Sequence, residues 1–140
     1  MFELSVQREF CAAHALMFRG QREPVHGHNF RLTVTLAGDT LDPDGVLVDF
    51  HALEKLVDAI IKPYHNANLN DTAPFDQDGG INPSAELIAK HICGRLEDGI
   101  TRIGGHSAQV AAVSITEAPG CVATYRPAAG RSPDGRSMDR

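Results

Sequence analysis

A chain of 140 residues with 42% hydrophobic and 22% charged residues can bury one core and has the balance of an ordinary globular domain. Its formal charge of −5 offers no broad basic face, which argues against nucleic-acid binding, and no apolar run reaches membrane-spanning length. Cys11, Cys93 and Cys121 form no CxxC or zinc-knuckle spacing, and "MFELSVQREF" lacks a signal-peptide layout. The expected setting is a reducing cytoplasm, with each cysteine serving packing.

In chain order, "FELSVQREF" sets Phe2, Leu4, Val6 and Phe10 against polar neighbours, the pattern of a half-buried strand. "NFRLTVTLAG" alternates Phe30, Leu32, Val34 and Leu36 with Arg31, Thr33 and Thr35, and Gly38-Asp39 is a turn signal. In "DFHALEKLVDAIIKP" the period changes: Leu53, Leu56, Val57, Ile60 and Ile61 make one helical face, with Asp49 as cap and Pro63 as stop. "NPSAELIAKHICGRL" predicts a second helix with Asn82 as N-cap, Pro83 at the first helical position, and Leu87, Ile88, Ile92 and Leu96 on its apolar side. Residues 107–117 and 121–127 read as two strands joined across Pro119-Gly120. The expected fold is α+β, an antiparallel β-β-α-α-β-β sheet with both helices on one face. One domain over 1–127 is expected, followed by a flexible tail over 128–140 with no apolar period.

The first two strands can be laid in register. Setting Leu4 opposite Leu36 also sets Val6 opposite Val34 and Phe10 opposite Phe30, as one buried face demands. The same register puts His14 opposite His26. His28 lies two residues along and so on the same face, beneath the loop "ALMFRGQREPV". Three imidazoles on two strand ends, with a position left open, have the form of a catalytic zinc site. An HxH pair alone is a weak signal, and the registered His14 strengthens it.

"FCAAH", "HGHNFRLTVTLAG", "DGVLVDFHALE", "LND", "NPSAELIA" and "TEAPGCVATY" occur in one order and spacing that resembles the 6-pyruvoyl-tetrahydropterin synthase family, which includes the 6-carboxy-tetrahydropterin synthases. The resemblance runs from about Phe2 to Tyr125. It implies the tunnelling fold (T-fold), in which subunits join sheets into trimers and two trimers stack as a homohexamer. It also implies Zn2+ on His14, His26 and His28, and a reduced pterin triphosphate as substrate. Glu117 matches the glutamate that anchors the pterin's amino-pyrimidinone edge, where a carboxylate accepts two parallel hydrogen bonds. Ser84 and Ala85 match the helix start that meets the pterin, although helix initiation alone would also explain them.

The expected catalytic groups depart from the family's pattern. Where typical synthases place a cysteine base, four residues before the HGH, this chain has Arg22. Glu23 follows it, and Glu-x-x-HGH resembles a subgroup in which glutamate replaces the cysteine and the reaction becomes carbon–carbon cleavage. The family's Asp-His relay is not intact either. Its places fall on His65 and Asn66, which leaves His65 as an acid–base candidate without its orienting carboxylate. Arg19, Arg22, Lys90 and Arg126 are candidate partners for a triphosphate. The expectation is therefore a zinc-dependent lyase acting on 7,8-dihydroneopterin triphosphate and releasing 6-hydroxymethyl-dihydropterin. The alternatives are 6-pyruvoyl- or 6-carboxy-tetrahydropterin synthesis, or a catalytically weak homologue that binds zinc and pterins.

Overall fold

Alternation over Phe2–His14 and His26–Gly38 produces two 13-residue strands, β1 and β4. The computed structural model describes residues 1–77 and 80–128. The strands pair antiparallel in the register expected from their apolar residues: Leu4 with Leu36, Val6 with Val34, Phe10 with Phe30 and His14 with His26. Val6, Phe10, Phe30, Leu32, Val34 and Leu36 are buried, so one face of this ladder is core. Arg8 interrupts the apolar row. Its guanidinium donates to Glu54 Oε2 at 2.6 Å and Asp58 Oδ1 at 2.7 Å, across to the first helix.

Strand β4 also pairs with β6 (Gln109–Ala118), which pairs with β7 (Cys121–Tyr125). A bulge in β6 lets Thr35 face Ala112 while Leu36 faces Val110. The Pro119-Gly120 connection is a tight turn, and Gly120 takes the positive φ of 79° that such a turn requires. Three short strands escape the sequence pattern because two residues carry no period. Met17–Phe18 (β2) and Gln21–Arg22 (β3) make a small hairpin, and Ala67–Asn68 (β5) runs parallel beside Ala12 and Ala13 of β1. The five-stranded sheet, ordered β5-β1-β4-β6-β7, is therefore antiparallel except at this one edge.

Helix α1 (Phe50–Ile61) starts at Asp49, whose carboxylate accepts from the backbone N–H groups of His51 and Ala52. It gives way to a 3-10 turn at Lys62–Tyr64 containing Pro63. Helix α2 (Ala85–Gly99) corrects the expected cap. Ser84, not Asn82, is the N-cap, and its Oγ accepts from Leu87 N–H at 3.2 Å. Asn82 is instead bonded through its side chain to Met17, and the Pro83 carbonyl is engaged by His14, which holds both residues outside the helix. Leu53, Val57, Ile60 and Ile61 of α1 and Ile88, Ile92 and Leu96 of α2 join the sheet's buried face in one core, each such side chain stabilising by about 1.5–3 kcal/mol. Leu87 packs at its margin.

Cys93 lies inside this core, but Cys11 and Cys121 are exposed, so the expectation of packing fails for those two. Cys11 falls on the strand positions that alternate with Phe10 and Ala12, away from the helices. Among the described residues no helix is long and apolar enough to cross a membrane. The tail expected over 128–140 lies, beyond Ala128, outside the described residues.

Candidate metal centre

His14 ends β1, His26 begins β4, and strand alternation puts His28 on the same face. Their ring centroids are 4.7 Å apart for His14–His26, 5.2 Å for His14–His28 and 4.8 Å for His26–His28. Phe30 lies beneath, 5.4 Å from the rings of both His14 and His28. A fourth donor comes from β6. Glu117 sits one step beyond the Arg31–Thr116 pair and shares the core-facing side with Ile115. Its Oε1 lies 3.0 Å from His14 Nε2 and 3.5 Å from His28 Nε2. The ligand atoms of His14, His26, His28 and Glu117 all fall within 4.8 Å of one another.

Backbone carbonyls orient two of the rings. His14 Nδ1 donates to Pro83 O at 2.7 Å and His26 Nδ1 donates to Pro24 O at 2.9 Å. This fixes the tautomer that leaves each Nε2 lone pair free to bind a cation. His14 is wholly buried, and among the described residues His14 Nε2 and His28 Nε2 have no hydrogen-bond partner, although Glu117 Oε1 lies close to both. Orphaned buried ring nitrogens are rare unless something binds them. Three imidazoles and a carboxylate suit a divalent transition metal such as zinc, and the residues fit that group.

Burial pulls the His28 pKa below its ordinary value, outweighing the attraction of Glu117, so the ring favours the neutral form a metal needs. Burial, with help from Arg95, depresses His91 on α2 as well. Because the unfolded chain takes up these protons at higher pH than the folded one, folded-state stability is lost as pH falls below about 6.5. Urea unfolding of metal-free protein is expected to show a lower midpoint at pH 5.5 than at pH 7.5; equal midpoints would contradict the depressed histidines.

The loop beside the cluster is gripped on both edges. The Asn70 side chain bonds both Ala15 N and Ala15 O at 2.8 Å, and the Asn82 side chain does the same to Met17. Between them Leu16 faces Glu23. Leu16 N–H donates to Glu23 Oε1 at 2.9 Å, and Glu23 N–H donates to Leu16 O at 3.0 Å. Glu23 Oε1 is thereby held 3.9 Å from His26 Nε2. Sequence reasoning missed both asparagine clamps; the only signal was an amide in each of the "LND" and "NPS" segments. Behind the clamps is a cavity of about 510 Å³ lined by Ala15, Arg22, Asn70, Asp71, Asp76 and Pro83, among others.

The remaining candidates lie further out. Ser84 caps α2 and Ala85 is its first residue, next to the Pro83 carbonyl that anchors His14. His65 is exposed, and its ring meets Phe10 edge-on at 6.4 Å. Phe10 in turn stacks on Phe30 at 5.2 Å, so this phenylalanine pair lies between His65 and the chain's own imidazoles.

Residues 3–128 match the family model described as 6-pyruvoyl tetrahydropterin synthase. A 6-carboxy-5,6,7,8-tetrahydropterin synthase of Bacillus subtilis is 34% identical, covering 92% of this chain and 88% of the relative. A dihydroneopterin monophosphate aldolase of Pyrococcus furiosus is 36% identical over 62% of this chain and 68% of its own length. The fold is also that of solved structures. Caenorhabditis elegans 6-pyruvoyl tetrahydropterin synthase superposes with a TM-score of 0.72 at 22% identity, covering 91% of this chain and 98% of that one.

Proposed function

Because the chain belongs to the 6-pyruvoyl tetrahydropterin synthase family, we propose that it is a zinc-dependent lyase that cleaves a side-chain carbon–carbon bond of 7,8-dihydroneopterin triphosphate. The products would be 6-hydroxymethyl-dihydropterin and a two-carbon aldehyde bearing the triphosphate. The observation that carries this reading is Glu23, a carboxylate pinned by Leu16 N–H at the edge of the imidazole cluster, with Arg22 and no thiol in the preceding position. The Pyrococcus furiosus relative named as an aldolase supports the same class of bond cleavage.

His14, His26 and His28 would hold the zinc, which when bound would polarise the substrate's side-chain hydroxyls and lower their pKa. Glu117 would accept two hydrogen bonds from the pterin's amino-pyrimidinone edge, with Ser84 and Ala85 at the helix start completing the ring's seat. Glu23 would take the proton of the second side-chain hydroxyl. That oxygen becomes an aldehyde, the bond between the first two side-chain carbons breaks, and its electron pair passes into the ring imine. The protonated Glu23 then returns the proton to the first carbon, so one carboxyl serves as base and then as acid. His65 touches Phe10, which stacks on Phe30 beneath the imidazoles, so an acid–base role for it would call on a neighbouring subunit in the homohexamer we propose, built as a dimer of trimers. Free Cys11, Cys93 and Cys121 support a cytoplasmic setting.

A second reading is 6-carboxy-tetrahydropterin synthesis, favoured by the long match to the Bacillus subtilis relative. Product analysis separates the two. Zinc-loaded protein is mixed with dihydroneopterin triphosphate and the pterins are identified by mass. 6-Hydroxymethyl-dihydropterin is the expected product, a pyruvoyl or carboxy product would favour the synthase reading, and an unchanged substrate would favour a binding protein.

A further inference from the structure

Glu117 stands in two places at once. The proposed function makes it the anchor of the pterin ring, yet its carboxylate oxygen is drawn in among the metal-binding nitrogens, 3.0 Å from His14 Nε2 and 3.5 Å from His28 Nε2. The two duties compete, because a carboxylate turned to the imidazoles cannot also face an amino-pyrimidinone edge with both oxygens. Glu117 is half-buried and, among the described residues, makes no hydrogen bond that would fix it in either position. Glu23, the other carboxylate at this site, has no such freedom. Leu16 N–H holds its oxygen, and its approach to His26 is the longer one at 3.9 Å.

We infer that Glu117 is a displaceable fourth ligand of the metal: it closes the coordination sphere while the site is empty, and the pterin ring draws it away and opens that position. This rests on the proposed function only for the identity of the ring. The consequence is selectivity. The open coordination position is created by the ring system that brings the correct side chain, so other hydroxyl compounds meet a closed centre. The three histidines are carried by two strands paired through their whole length, whereas Glu117 comes from the third strand beside the β6–β7 irregularity at Ala118. The histidine set is therefore the fixed part of the site and the carboxylate the movable part.

The test uses protein loaded with Co2+, whose visible absorption reports the ligands around it, and unsubstituted pterin, whose ring lacks the side chain that could reach the metal. Removing a carboxylate ligand by Glu117→Gln is expected to weaken Co2+ binding by roughly tenfold or more and to change the spectrum. Pterin added to wild-type protein should shift its spectrum towards that of Glu117→Gln. Identical affinity and spectrum in wild type and Glu117→Gln would overturn the ligand assignment. Pterin that binds, by fluorescence, without altering the cobalt spectrum would overturn the displacement. Glu117→Asp, too short to span both duties, guards against a misfolded glutamine variant and should also bind Co2+ more weakly. Pterin that does not bind wild-type protein at all would sink the pterin reading itself, and with it the displacement by that ring, while the comparison of variants still decides the ligand.

Discussion

Glu23→Gln is expected to lower turnover of dihydroneopterin triphosphate by roughly 10²- to 10⁴-fold, the usual contribution of a positioned general base. Glutamine is the informative replacement because its amide oxygen can still accept from Leu16 N–H, so the base of the β2–β3 hairpin stays closed. The Glu23 N–H bond to Leu16 O belongs to the backbone and is unaffected. The loss should therefore appear in kcat, with metal content and pterin affinity close to wild type. Glu23→Ala would also leave Leu16 N–H without its partner, costing about 1–3 kcal/mol, and so would mix chemistry with folding. Steady-state kinetics with product identification gives the answer, and a glutamine variant of undiminished kcat would remove Glu23 from the mechanism.

The second large effect belongs to His14. His14→Ala removes the buried member of the candidate metal set, and the variant should lose the stabilisation expected from zinc on the proposed reading. For a metal at a hundred times its Kd that increment is about 2.7 kcal/mol. The variant should also be less stable without metal, because it leaves a hole at a fully buried position and strips Pro83 O of its partner. His26 separates the two effects. It is exposed, so His26→Ala should lose the zinc increment at a smaller cost to metal-free stability. Thermal unfolding with and without added zinc measures both quantities. A His14→Ala protein still stabilised by zinc as strongly as wild type would show that the ion binds elsewhere.

Both effects trace to a small part of the chain, and the sequence marked much of it. Apolar alternation in two strands matched one register to a single buried face, and that register carried His14 to His26. Asp49 as a helix cap and Pro119-Gly120 as a turn were equally legible, because each depends on neighbours a few residues away. The second helix cap was not. Asn82, Pro83 and Ser84 all resemble starts, and the choice fell to Ser84 because contacts with Met17 and His14, distant in sequence, hold the first two residues.

By itself, then, the sequence determined the α+β order, the pairing of the long strands and the cluster of three imidazoles, all of which follow from periods of two and 3.6 residues along single segments. Only the tertiary structure decided where the carboxylates stand. It brought Glu117 in from a third strand to the ring nitrogens of His14 and His28, pinned Glu23 through Leu16, and set His65 against Phe10, which stacks on Phe30. Side-chain periodicity says which face of an element a residue occupies. How far a glutamate reaches, and which backbone groups hold it, depends on elements packed together from 7 to more than 100 residues apart, and no local pattern encodes that.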